Sequence, residues 1–156
     1  MATRSFIFFA EKEPTLDLNV KGIYCHYDGY LEGVGNRLKR DYDSDKKVRK
    51  LIALGGIRSL ARTINKTKRE VIGDIGDKNA TLTCSLNMFL NHFKSFGYSD
   101  IEYIYLRIGG KWFYSSRCYS GDFDKFIELK DDFMKQIMAD YRERIKRYEM
   151  KIGRVS

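Results

Sequence analysis

Cys25, His26 and Asp28 lie within four residues of one another, with Tyr24 and Tyr30 on either side and Gly33 and Gly35 just beyond. A thiol, an imidazole and a carboxylate are the side chains of a nucleophile, a base and an acid. The spacing argues against their acting together. Ile23, Cys25 and Tyr27 alternate with Tyr24 and His26, which is the period of a half-buried strand, and adjacent strand residues point to opposite faces. Cys25 and His26 therefore cannot pair directly, and the other histidine, His92, would reach His26 only through the tertiary fold. The reading that weighs most is structural, a strand histidine bonded to a loop carbonyl. Two histidines without ligand spacing give zinc little support, and no metal or other cofactor is expected. A second chemistry is open at Gly33-x-Gly35, where a strand-to-helix turn could present backbone N–H groups to a phosphate. Neither the dinucleotide fingerprint nor a P-loop lysine and hydroxyl follows, and close packing of strand on helix explains the glycines better. Tyr24, His26, Asp28, Tyr30, Gly33 and Gly35 stand as the candidate ligand-binding residues, with no catalytic residue assigned.

The elements that must position this stretch begin with Arg4 to Phe9, an aromatic run closed by Glu11-Lys12-Glu13-Pro14, which predicts a first strand. A second strand is predicted over Val20 to Tyr27, forming an antiparallel hairpin with the first. Asp28-Gly29 breaks the alternation with a side-chain acceptor and a residue free to take positive φ, and Asp28 is expected to cap the next helix. Leu31, Val34, Leu38 and Tyr42 then recur at helical steps. Gly33 and Gly35 each cost about 1 kcal/mol relative to alanine there, so a close backbone approach or a ligand should compensate. Asp43-Ser44-Asp45 offers an N-cap for a second helix carrying Val48, Leu51, Ile52 and Leu54 and stopping at Gly55-Gly56.

Residues 62–83 have few apolar positions and read as mostly loop, with one strand about Val71-Ile72. Ser85 opens a helix with Leu86, Phe89, Leu90, Phe93 and Phe96 on one face and Gly97 as its stop. Ile101 to Ile108 and Lys111 to Arg117 flank Gly109-Gly110, the dipeptide of a type I′ hairpin. Phe126, Phe133, Ile137, Tyr141, Ile145 and Tyr148 keep helical spacing, with acidic residues early and basic ones late, as the helix dipole prefers. The expected fold is α+β: one domain over 1–156, an antiparallel sheet of about four strands from two hairpins, covered on one side by helices that include a long C-terminal one.

Composition bounds the function. The chain has 156 residues, 43% hydrophobic and 14% aromatic, enough to build a core. It lacks a run of about 18 apolar residues and a charged-then-apolar leader, so neither membrane association nor secretion is expected, and the expected location is a cytoplasm. Cys25, Cys84 and Cys118 are too sparse for a disulfide framework or a zinc knuckle. A formal charge of +8 attracts anionic partners over about 8–10 Å at ordinary salt. The cations cluster at Arg37, Lys39, Arg40, Lys46, Lys47, Arg49, Lys50 and Arg58, and again at Arg142, Arg144 and Arg147. If the first two helices and the last share a face, a phosphate backbone or an acidic protein would meet a basic stripe there, with sheet aromatics such as Tyr103, Tyr105, Trp112, Phe113, Tyr114 and Tyr119 as contact surface. Solvated helix faces are the plainer reading of the cations, with acidic residues interspersed, and core filling is the more common reason for aromatic strands.

Residues 22–60 carry a resemblance. Ile23-Tyr24-Cys25-His26-Tyr27-Asp28-Gly29-Tyr30, then Gly35, Leu38, Tyr42, Lys47-Val48, Leu51-Ile52-Ala53-Leu54-Gly55 and Ile57-Arg58-Ser59-Leu60 resemble a family of small uncharacterised proteins found mainly in bacteriophages, prophages and plasmids. Its pattern looks like IYCHWDGY…GxxLxxxYxDxxKVxxLIxLGDISSL. Arg4-Ser5, Glu102 to Leu106 and Gly110-Lys111-Trp112 match other parts of the family's sequence. Tyr27 replaces the usual tryptophan and Gly56 the usual aspartate. The resemblance implies a phage accessory protein acting in the cytoplasm of the infected host cell, and it implies no reaction. The leading expectation is therefore a non-enzymatic protein that binds and inhibits a host or anti-phage defence component. One alternative is a nucleic-acid-binding protein using a basic helical face, and another is a nucleotide-binding protein or small enzyme centred on Tyr24 to Tyr30.

Overall fold

The computed structural model of the chain describes residues 2–11, 18–73, 77–117, 121–123 and 125–152; the side chains at 77, 133, 134, 144 and 147–152 fall outside that description. The strand stop assigned to Pro14, and Cys118 and Tyr119, also lie outside the described residues.

Six strands form one mixed sheet in the order β3-β2-β1-β4-β5-β6. They are β1 (Arg4–Phe9), β2 (Asn19–Cys25), β3 (Leu82–Ser85), β4 (Ile101–Ile108), β5 (Lys111–Ser116) and β6 (Ile127–Glu128). The expected antiparallel sheet of about four strands is thus corrected. The two hairpins exist, with Ile7 opposite Ile23 and Tyr105 opposite Tyr114. They are joined, however, by a parallel pairing of β1 with β4 that sets Ile7 beside Tyr105. Two short strands extend the edges, β3 on β2 and β6 on β5. Gly109 and Gly110 both take positive φ, +58° and +75°, as a type I′ turn requires.

Helices cover both faces, not one. Alternation along β1 and β4 sends Ile7, Phe9, Tyr103 and Tyr105 to a first face, and Phe6, Phe8, Ile104 and Leu106 to a second. Every one of these side chains is buried. Strands buried on both faces read as continuous apolar runs, and that is what Phe6-Ile7-Phe8-Phe9 and Tyr103-Ile104-Tyr105-Leu106 are. The first face is covered by the segment from Leu31 to Ile57 and by α5 (Phe133–Ile152). The second is covered by α4 (Leu86–His92), by Phe93 and Tyr98 beyond it, and by Phe123.

Local signals explain most boundaries. Ser44 accepts a bond from the Lys47 amide at 3.2 Å and starts α2 (Asp45–Ile52). Ser85 accepts one from Met88 at 3.0 Å and starts α4, each cap being worth about 1 kcal/mol. Thr63 does the same for α3 (Ile64–Lys68), a short helix in the stretch expected to be loop. The final helix begins at Phe133, later than Phe126, because residues 127 and 128 pair with β5.

Candidate functional site

The turn that follows β2 is built by long-range backbone bonds. His26 N–H donates to the Ile57 carbonyl (3.0 Å) and Tyr27 N–H to that of Arg58 (2.8 Å), so the chain leaving α2 runs alongside the end of β2, bridged in parallel at Cys25 and Ile57. Asp28 takes φ +58°, a left-handed conformation that aspartate tolerates better than most residues. Its role differs from the expected side-chain cap: its main-chain carbonyl accepts from Val34 N–H at 2.8 Å, while its carboxylate accepts from the Tyr30 hydroxyl at 3.0 Å. Residues Leu31–Gly35 form a single π turn leading into α1 (Asn36–Asp41). A Cβ on Gly33 would sit 2.3 Å from the Asp28 carbonyl oxygen, and one on Gly35 2.9 Å from the Leu31 side chain and 3.1 Å from the Tyr105 ring. Backbone in close approach therefore requires glycine at 33, while at 35 the neighbours are the side chains of Leu31 and Tyr105.

The nucleophile, base and acid are dispersed into separate environments. Cys25 is fully buried among first-face residues, and burial pushes its thiol up to about 12, leaving no useful thiolate at neutral pH. His26 leaves the opposite side of the strand, with Nδ1 2.9 Å from the Tyr24 hydroxyl. Burial first, then the positive charges of Arg4 and Lys78, hold the imidazole below its ordinary value. Burial, reinforced by Asp100, raises the Tyr24 phenol to about 12. His92 is exposed on α4, and no hydrogen bond or ring contact joins it to His26 among the described residues. No three His, Cys, Asp or Glu side chains are placed to hold a metal ion among the described residues.

Tyr24 and His26 belong instead to a polar network that the sequence reading missed. Asp100, just before β4, lies 3.0 Å from Arg4 Nε and 3.3 Å from Lys78 Nζ, and Lys78 stands 4.7 Å over the Tyr24 ring. These residues are far apart in sequence and meet because β1, β2 and β4 are neighbours. Only the parallel pairing could have announced it.

The basic residues divide into structural ties and free charges. Arg37 pairs with Asp41 at 3.1 Å, Arg49 with Glu11 at 2.7 Å and Arg58 with Glu70 at 3.7 Å. Lys47 donates to the carbonyls of Asp41 and Arg62 and stands over the Tyr42 ring. By contrast Arg40, Lys46, Lys50 and Arg142 are exposed and make no ion pair among the described residues. The side chains of Arg144 and Arg147 fall outside the described residues. The aromatic half of the expected surface is corrected: Tyr103, Tyr105, Trp112 and Tyr114 are all buried and Phe113 is half-buried.

Of these exposed cations Arg40 lines a groove. About 470 Å³ in volume, it lies between α1 and the connection from β6 to α5, and is lined by Asn36, Lys39, Arg40, Lys130, Asp131, Asp132 and Lys135. Four cations outnumber two carboxylates there. Lys39 reaches Asp131 at 3.5 Å, but that carboxylate is fully exposed, so the pair is weak. Asn36 is shared with a smaller polar cleft of about 150 Å³ beside Asp28, Glu32, Gly33 and Arg37, and its buried side-chain oxygen has no hydrogen-bond partner among the described residues. The sequence placed Lys39 and Arg40 in a basic cluster but hid Lys130 and Lys135 in an expected helix. The available signal was Asp131-Asp132 immediately before Phe133, a helix start rather than a helix interior. No described helix is long and apolar enough to cross a membrane. Comparison with protein-family models, with curated proteins and with solved structures returns no match to this chain.

Proposed function

We propose that this chain is a non-enzymatic phage accessory protein, acting in the cytoplasm of the infected host cell, that binds and inhibits a host or anti-phage defence component through an acidic surface of that partner. The observation that carries the reading is the groove between α1 and the β6–α5 connection, where Lys39, Arg40, Lys130 and Lys135 surround an open volume. With Asp131 and Asp132 also in the lining the excess is of positive charge, and a groove with an excess of one sign attracts complementary surfaces and speeds encounter. The separation of Cys25, His26 and Asp28 into three unrelated bonds is the reason for a binding rather than a catalytic reading. The provenance rests on the resemblance of residues 22–60 described above.

The test is affinity capture from infected cells with the wild-type chain and with Arg40→Glu/Lys135→Glu. The wild type should retain one protein in stoichiometric amount, and the double variant should lose it while keeping its unfolding midpoint. Equal retention by both would defeat the reading.

A second reading is favoured by Arg40, Lys46 and Lys50, exposed cations on consecutive helices: contact with a nucleic-acid backbone. Its signature is a linear fall of log affinity with log salt concentration. Binding to duplex DNA or RNA that does not weaken as salt rises would exclude it.

A further inference from the structure

The sheet ends at β6, and among the described residues no strand pairs with its outer edge. Leu129 N–H donates inward to the Trp112 carbonyl at 2.8 Å, so by strand alternation the Glu128 carbonyl and the Lys130 N–H point outward. One side chain takes both. Gln136, in the first turn of α5, accepts from Lys130 N–H at 3.1 Å through Oε1 and donates to the Glu128 carbonyl through Nε2. A carbonyl and an N–H two residues apart are the pair that a single residue of a parallel neighbouring strand engages. The Gln136 amide therefore stands where a seventh strand would lie.

Sheet edges are often covered to prevent such pairing, and a permanent cover is the plain alternative. Two observations favour an exchangeable one. First, these two bonds are the only hydrogen bonds of the Gln136 side chain among the described residues, and the residue is partly exposed. A peptide group can replace a side-chain amide bond for bond, so the exchange strands no buried donor or acceptor. Second, the edge adjoins the groove between α1 and the β6–α5 connection, where Lys39, Arg40, Lys130 and Lys135 outnumber Asp131 and Asp132. Helix α1 packs on the first face through Leu38, and Leu129 points to the same face. On an added strand the residue beside Leu129 shares its face, as do the residues two positions before and after it. An extended segment with acidic residues at alternate positions thus sends its carboxylates to the side of the positive groove while its backbone bonds to β6.

We propose that the outer edge of β6 is a strand-addition site, closed by the Gln136 amide in the free chain, for an extended acidic segment of the partner that runs parallel to β6 with alternate carboxylates in the groove. The proposal rests on the reading of that groove as the contact. It adds a main-chain component that charge alone does not supply.

The test is fluorescence anisotropy with the full chain up to about 1 mM and the peptide Glu-Thr-Glu-Thr-Glu, carrying an N-terminal fluorescein and an amidated C-terminus. Two further versions are N-methylated, one at the glutamate nitrogens and one at the threonine nitrogens. In the proposed strand the glutamate N–H groups face β6 and the threonine N–H groups face away. Methylation at glutamate should therefore weaken binding at least ~10-fold, and methylation at threonine should leave it unchanged. Gln136→Ala opens the edge and should tighten the unmethylated peptide by about 3–10-fold, while Arg40→Glu/Lys135→Glu should abolish binding. The methylated pair needs only the wild-type chain, so the test stands even if Gln136→Ala loosens the start of α5. Equal binding of all three peptides overturns strand addition and leaves the charged groove as the contact. A folded Gln136→Ala chain that binds no tighter overturns the closed edge. Absence of binding to both chains overturns the proposal, and the capture experiment with Arg40→Glu/Lys135→Glu then judges the groove by itself.

Discussion

The two faces of the sheet are held in different ways. On the first face several long side chains end in polar groups that tie down the covering segments. Trp112 Nε1 donates to the Tyr42 carbonyl at 2.8 Å, the Tyr105 hydroxyl to the Gly29 carbonyl at 2.7 Å, and Arg107 Nε to the Asp45 carboxylate at 3.0 Å. On the second face Phe6, Phe8, Phe89 and Phe93 meet ring on ring, with Phe6 4.7 Å from Phe8 and 4.8 Å from Phe89 between centroids. Its main polar tether is Arg117, buried over the Phe93 ring and donating to the carbonyls of Ile101 (2.8 Å), Gly121 (3.2 Å) and Ser99. Ring packing supplies area without direction; hydrogen bonds from buried aromatic tips fix where a backbone sits. The turn at Asp28 and helices α1 and α2 all belong to the first face, so the parts that form the groove are positioned by direction as well as by burial.

The largest effects should not distinguish the faces. Trp112→Ala and Phe89→Ala each remove a fully buried aromatic and should each cost about 3–5 kcal/mol in urea unfolding. A loss below about 1 kcal/mol at either site would mean that its layer is not packed as described. The comparison sharpens with substitutions that keep volume. Tyr105→Phe leaves the ring and deletes only the hydroxyl, stranding the Gly29 carbonyl, and should cost about 1–2 kcal/mol. It should also speed amide hydrogen exchange at Gly33 and Val34, whose N–H groups bond within that turn. Phe89→Leu, with no polar tip to lose, should cost less than about 1.5 kcal/mol and leave exchange in the turn unchanged. Equal exchange in both variants would erase the distinction between the faces.

The smallest effect is one of pH. His26 is held below the ordinary histidine value, chiefly by burial, so the unfolded chain binds the proton more readily than the folded one. Any stability it contributes is fully present above the unfolded value of about 6.5 and fades as pH falls through that value towards the lower folded one. His26→Gln should flatten this part of the stability profile. A wild-type profile that rises on acidification over the same window would contradict the assigned direction.

How much of this was legible in the sequence depended on whether the signal was local. Ser44, Ser85 and Gly109-Gly110 act through bonds to near neighbours, and their elements stand where they were expected. The parallel pairing of β1 with β4 spans nearly a hundred residues and carries no local mark except that both runs are apolar at successive positions. That feature points to burial on two faces, but it does not name the neighbouring strand. Strand β6 has two residues, too few to show a period, and β3 has the polar sequence Leu-Thr-Cys-Ser, suited to an edge. In the candidate site, the sequence offered Cys25, His26 and Asp28 as neighbours, and strand alternation separated them. It could not offer Lys130 and Lys135 as neighbours of Lys39 and Arg40, because the sheet and α5 bring them together.

The most direct measurement is the affinity of the purified chain for its captured partner, by calorimetry, for wild type, Arg40→Glu/Lys135→Glu and Lys46→Glu/Lys50→Glu. If the groove between α1 and the β6–α5 connection is the contact, the first double variant loses binding and the second keeps most of it, with unfolding midpoints unchanged in both. Undiminished affinity in Arg40→Glu/Lys135→Glu would place the contact elsewhere on the molecule.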